Sequence, residues 1–161
     1  MSGTKIFVIR LISLVATLAV AVMIFALSSQ PAKESKKTSD KVVELVQKSE
    51  HINKLLPEKK WKKNEIIREL AHIFLFLVLG ISSSAFVYTF TLHWAVPPIL
   101  SLLFCALYSV SDEYHQKFVE GRSWEYKDLM FDCLGYMTGI VITAAVYYIT
   151  KYVINSRRNT L

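Results

Sequence analysis

The chain has 161 residues, 53% of them hydrophobic, and a formal net charge of +6. Its length argues for one domain. Its apolar share exceeds that of ordinary soluble domains, and the apolar runs leave no room for a soluble basic domain that binds nucleic acid. Basic residues flanking such runs meet anionic lipid head groups instead, each worth about 1 kcal/mol near the surface.

Residues 6–27 are apolar apart from Arg10, Ser13 and Thr17. That matches the roughly 20 residues a helix needs to cross the hydrocarbon. Lys5 and Arg10 raise the alternative of a cleaved signal peptide, but Ser28-Ser29-Gln30-Pro31 is a poor cleavage site, and the segment is taken as a retained first helix. Residues 28–67 then form a polar connecting segment rich in Lys, Glu and Ser. Ser39 or Asp40 is expected to cap a short helix ending near Leu56, with Val42, Val46, Ile52 and Leu56 along one stripe. Two readings stay open for it, a helix on the membrane surface and a solvated loop. Trp61 suits the membrane interface.

The second span is expected over residues 68–90, with Arg68 and His72 at its start. A short turn leads to Pro97-Pro98, which open a third helix over 97–116, since proline fits the first helical turn. Gly121 breaks the run. Ser123 is the expected cap of the fourth span, 128–154, with Glu125 in its first turn. The expected fold is therefore all-α, a single membrane domain over residues 1–161 built as an integral membrane four-helix bundle. Gly80 and the serines at 82–84 read as helix-packing residues, and Cys105 and Cys133 as small buried residues rather than a disulfide or metal pair.

Four crossings bring the ends of all four helices to one face. Ser28, Ser29 and Gln30 leave the first, Arg68 and His72 enter the second, Glu113 and Gln116 leave the third, and Asp128 and Asp132 enter the fourth. Each of the last three pairs is three or four residues apart and shares a helix face. Asp132 also shares a face with Gly135 and Gly139, where small residues allow close helix approach. Ionisable residues in membrane segments are functional candidates because inserting them is costly.

The residue types define the chemistry. Arg68 and Arg122 suit bidentate binding of a phosphate. His72 transfers a proton near neutral pH, and Glu113, Asp128 and Asp132 are bases or orient the histidine. Gln116 offers a donor and an acceptor. This assigns His72, Glu113 and Asp128 to catalysis and Arg68, Gln116, Arg122 and Asp132 to substrate binding. Four of these have a plainer alternative: Arg68 snorkelling to the interface, His72 as a satisfied bundle histidine, Glu113 and Arg122 as a structural ion pair. His115 reads as an interface residue, Asp112 as facing water, and His93 as lying in the turn at the opposite face. A metal held by His72, Glu113 and Asp132 is an alternative, but no His or Cys cluster at ligand spacing supports it; no phosphate-cradling glycine loop, nucleophile elbow or zincin motif is present, and the sequence leaves any cofactor unknown.

The SSQP after the first helix, Arg68 with His72, DEYHQKF followed by Gly121-Arg122, and then Ser123, Asp128, Gly135 and Gly139 together resemble the VanZ-like family of membrane proteins. Asp132 departs from the pattern, which leads one to expect Asn and no extra carboxylate. The family is named for a protein linked to resistance to the glycopeptide teicoplanin. It is similar to a broader set of helical membrane proteins proposed to modify lipid head groups. The resemblance thus implies that Arg68, His72, Glu113, Gln116, Arg122 and Asp128 line a lipid-processing pocket in the cell membrane.

Two functions follow as expectations. The first is an enzyme, a lipid head-group phosphodiesterase or transferase acting on a phosphate-bearing lipid. The second is a non-catalytic membrane factor that binds a lipid, glycopeptide or partner protein and lowers glycopeptide susceptibility; a proton-coupled carrier ranks third. The sequence does not set the oligomeric state. Lys5, Arg10, Lys151, Arg157 and Arg158 lie on the side of the termini and the rest of the 19 Lys and Arg on the other, which by the positive-inside rule places the polar cluster in the cytoplasm. The glycopeptide link favours the outer face, the side adopted here.

Overall fold

The computed structural model describes residues 3–48, 59–90 and 93–159. Among them all regular structure is helical: α1 (Gly3–Ser28), α2 (Ala32–Gln47), α3 (Lys60–Tyr88), α4 (Val96–Gln116) and α5 (Tyr126–Asn159). Three are long and apolar enough to cross a membrane, over Gly3–Ser28, Trp61–Tyr88 and Tyr126–Arg157. The third expected span forms as α4, a 21-residue helix with prolines in its first turn and Asp112 and Glu113 near its end.

Helix α1 shows how an apolar run tolerates hydroxyls. Ser13 and Thr17 donate to the carbonyls of Ile9 and Ser13, one turn back, so neither is left unsatisfied. Ser13, Thr17, Val20, Ile24 and Ser28 form its buried seam. Phe7, Leu11, Val15, Leu18 and Val22 are exposed. An apolar face of that length in the open suits contact with lipid chains. Arg10 anchors the far end, bonding the Thr89 carbonyl at 2.8 Å and stacking 3.9 Å over the Phe90 ring.

Helices α3 and α5 make the tightest seam. A Cβ on Gly135 would collide with backbone at Ile73 and Leu77, one on Gly139 with Leu77 and Ile81, and one on Gly80 with Tyr136. Beside this seam sits a core of Val20, Ile24, Phe76, Leu79, Cys105, Tyr136 and Ile140. The Tyr108 hydroxyl donates to the Ala21 carbonyl at 2.6 Å and ties α4 to α1. Ser82, Ser83 and Ser84 are buried, and Ser83 meets Cys105 at 3.5 Å. Both cysteines are free thiols, Cys105 buried and Cys133 half-buried.

Two expected helix starts are corrected. Helix α2 begins at Ala32, directly after Pro31, not at Ser39 or Asp40. Pro31 sets the start by its fixed φ of −52°. Ser39 and Asp40 fall inside the helix, where Ser39 bonds the Ser35 carbonyl and Asp40 accepts from Asn64. Its buried position is Val43, between the half-buried Ser39 and Val46, whereas Val42 is more exposed; Ile52 and Leu56 lie outside the described residues. Helix α5 begins at Tyr126, so Ser123 is two residues too early to cap it, and Glu125 flanks the helix, its carbonyl accepting from the Asp128 amide at 3.1 Å. Between α4 and α5 the chain turns at Gly121, whose φ of 72° favours glycine.

Candidate functional site

The end of α1, the start of α3, the end of α4 and the start of α5 converge at one end of the molecule, and α2 lies over them. The centre is His72 on α3, bracketed by two carboxylates one turn apart on α5. Its Nδ1 lies 2.8 Å from Asp132 Oδ1, and its Nε2 lies 3.7 Å from Asp128 Oδ2. Asp132 is fully buried, and its second oxygen accepts from Ser109 of α4 at 2.7 Å. With Asp132 ionised, Nδ1 is the nitrogen that donates to it and Nε2 is left for exchange.

Arg68, one turn before His72, donates to Glu125 at 2.9 Å and approaches Asp128 at 3.4 Å. Arg122 reaches back from the turn, with one nitrogen 2.7 Å from Gln116 Oε1 and another 2.8 Å from Ser35 of α2. Burial, and then the charge of Arg68, lower Arg122 from its ordinary value. It remains a cation at neutral pH because an arginine starts so high.

Glu113 does not pair with Arg122. One of its oxygens accepts from the Glu125 amide at 3.1 Å, the other has no partner, and the residue is fully buried. Its neighbour Asp112 is corrected from water-facing to buried, accepting from Ser28 and Gln116, each at 2.9 Å. Sequence reasoning missed it, although its spacing of four from Gln116 was the available signal. It also missed Ser109 and the Arg68–Glu125 pair, and Ser35 has no signal until α2 is placed. His115 stacks on Phe25 with centroids 4.7 Å apart and lies 3.0 Å from Ser29 at the edge of the cluster. His93 sits in the turn before α4, at the other end of α3. Among the described residues no group of three or more His, Cys, Asp or Glu is arranged to hold a metal ion.

Two cavities meet here. A polar chamber of about 410 Å³ is lined by Arg68, Gln116, Arg122, Glu125 and Asp128, with Trp61 and the inner side of α2. An apolar slot of about 150 Å³ runs between α1, α2 and α3, lined by Ile24, Leu27, Val42, Leu75 and Phe76 and by His72. Arg68, Arg122, Ser35 and Ser39 line both.

Fold and site together define a class, helical proteins of membrane-spanning length with a buried polar cluster at one end of their helices. The VanZ/LLP1 family model matches residues 13–148, and the chain belongs to that family. No curated protein and no solved structure matches it.

Proposed function

We propose that this protein binds the phosphate-linked head group of a lipid in the polar chamber and cleaves, transfers or exchanges it at the surface of the cell membrane. On this reading α1, α3, α4 and α5 cross the bilayer as a four-helix bundle in a single domain. The observation that carries it is the sharing of Arg68 and Arg122 by a polar chamber and an apolar slot. A head group with its phosphate on the guanidinium groups has room for polar atoms on one side and for its first chain segment on the other.

The chemistry then falls to His72. Asp132 holds Nδ1, so Nε2 takes the proton of an attacking hydroxyl, from water or an acceptor, as that oxygen bonds to phosphorus. The same nitrogen returns the proton to the departing alcohol as the old P–O bond breaks. Asp128 stabilises the imidazolium between the two steps, and Arg68 and Arg122 hold the phosphate oxygens. Glu113, behind the Glu125 amide, positions the turn that carries Arg122, and Gln116 positions Arg122 itself.

The test is lipid mass analysis of membranes from cells with and without the gene, joined to turnover by the purified protein. A lipid class with an altered head group is expected. An unchanged profile together with no turnover sinks the enzyme reading. The second reading, a non-catalytic factor that lowers glycopeptide susceptibility, is favoured by one observation: His72, Arg68 and Arg122 are already bonded within the chain. It predicts that His72→Gln, which keeps a bond to Asp132, retains both lipid binding and the cellular phenotype.

A further inference from the structure

The walls of the chamber carry both signs of charge, and two of the charged groups there, Arg122 and Asp128, keep bonding capacity the chain does not use. Arg122 gives its hydrogens to Gln116 and Ser35, both neutral, and among the described residues it has no ion-pair partner. Asp128 is only 2% exposed, yet its Oδ1 has no hydrogen-bond partner. Its other oxygen already faces Arg68 at 3.4 Å. Arg68 lines the same chamber, and its Nε is likewise without a partner.

A buried polar atom without a partner costs more than a weak bond would, so a ligand that satisfies both ends gains twice. A purely anionic head group satisfies Arg122 but sets its charge against Asp128 and Glu125. A purely cationic ligand meets Arg68 and Arg122. A head group bearing a phosphate and a positive amine answers both, and repulsion from the opposite wall disfavours the others.

We infer that the chamber selects a zwitterionic phospholipid head group, with its phosphate on Arg122 and Arg68 and its ammonium on Asp128. This rests on the lipid-binding reading above and adds the class of lipid. The apolar slot beside the guanidinium groups makes the source a lipid rather than a free phosphate ester.

Purified full-length protein in detergent is titrated, with EDTA present, against short-chain phosphatidylethanolamine, phosphatidylglycerol and N-acetyl phosphatidylethanolamine. The last keeps the phosphate and loses the positive charge. Phosphatidylethanolamine is expected to bind at least about tenfold tighter than either, as a charge-assisted hydrogen bond implies. Asp128→Asn is expected to bring the three within about twofold of one another. The three wild-type titrations stand without that variant if it fails to fold. Equal wild-type affinities overturn the inference and leave the lipid reading intact, whereas no binding of any of the three overturns both. Glycerophosphoethanolamine, which lacks chains, is expected to bind at least about tenfold more weakly than the lipid. Equal binding would place the source in solution and overturn the lipid assignment. Magnesium raising phosphatidylglycerol to the affinity of phosphatidylethanolamine would show Asp128 taking a metal ion instead of an amine, and also overturns the inference.

Discussion

His72 and Asp132 depend on each other. The Asp132 carboxylate is fully buried and has two partners, His72 and Ser109. Removing one partner of a buried charged pair leaves the other uncompensated, which typically costs about 3 kcal/mol or more. We therefore expect His72→Ala to lower stability by about 3 kcal/mol in detergent melts. Asp132→Asn leaves Ser109 an acceptor while removing the charge, so in the His72→Ala background it is expected to restore a large part of that loss. A double variant no more stable than His72→Ala alone refutes the pairing. Asn is also the residue the family resemblance leads one to expect there, so the substitution probes the departure of this chain. At this scale the sequence revealed residue types and helical spacing but not the direction of neighbours. Asp112 and Glu113 are adjacent and so point about 100° apart on the helix. Both are buried because Ser28 meets one and the turn before α5 meets the other.

Among the elements, the α3–α5 seam sets how closely His72 and Asp132 approach. Gly139 faces the backbone of Leu77 and Ile81, so a side chain there has no flexible neighbour to displace. Gly139→Val is expected to push the helices apart and to cost about 2 kcal/mol, as overpacking does in a filled core. Gly3→Val, with nothing within 4 Å of its Cβ, is the matched control and is expected to leave the melt nearly unchanged. Equal melts for the two variants would show the seam to be loose. The apolar helices were legible because their runs are long and their breaks, Pro97-Pro98 and Gly121, are strong. Helix α2 was one of two open readings, helix or solvated loop, and its bounds were not legible, since Pro31 starts it and the inviting caps Ser39 and Asp40 are occupied elsewhere. Its docking over the chamber rests on Val43, the Ser35–Arg122 bond and an Ala32 amide bonded to the Glu120 carbonyl at 3.0 Å, none of which a local pattern announces.

For the whole molecule, a four-crossing arrangement places α2 and the turn at Gly121 on one side of the membrane and both ends of the described chain on the other. Cysteines introduced at Lys37 and at Gly3, in a chain with Cys105 and Cys133 replaced by Ala, are expected to react differently with an impermeant maleimide in intact cells. With an external site Lys37→Cys is labelled at once and Gly3→Cys only after permeabilisation. The reverse pattern moves the site to the cytoplasm, and equal labelling removes the four-crossing arrangement. The charge distribution pulled toward the cytoplasm and the family resemblance toward the outside, because basic residues that serve a ligand or a head group count equally in a tally of loop charge.

The apolar slot has a consequence for supply. It reaches the same two arginines as the chamber, so on the proposed reading a lipid arrives sideways and never passes through water. What governs occupancy is then the crowding of that lipid within the leaflet, its mole fraction, and not the total amount suspended in a tube. Diluting a bilayer with an inert phospholipid should empty the protein even while the amounts of protein and of its own lipid per millilitre are held constant.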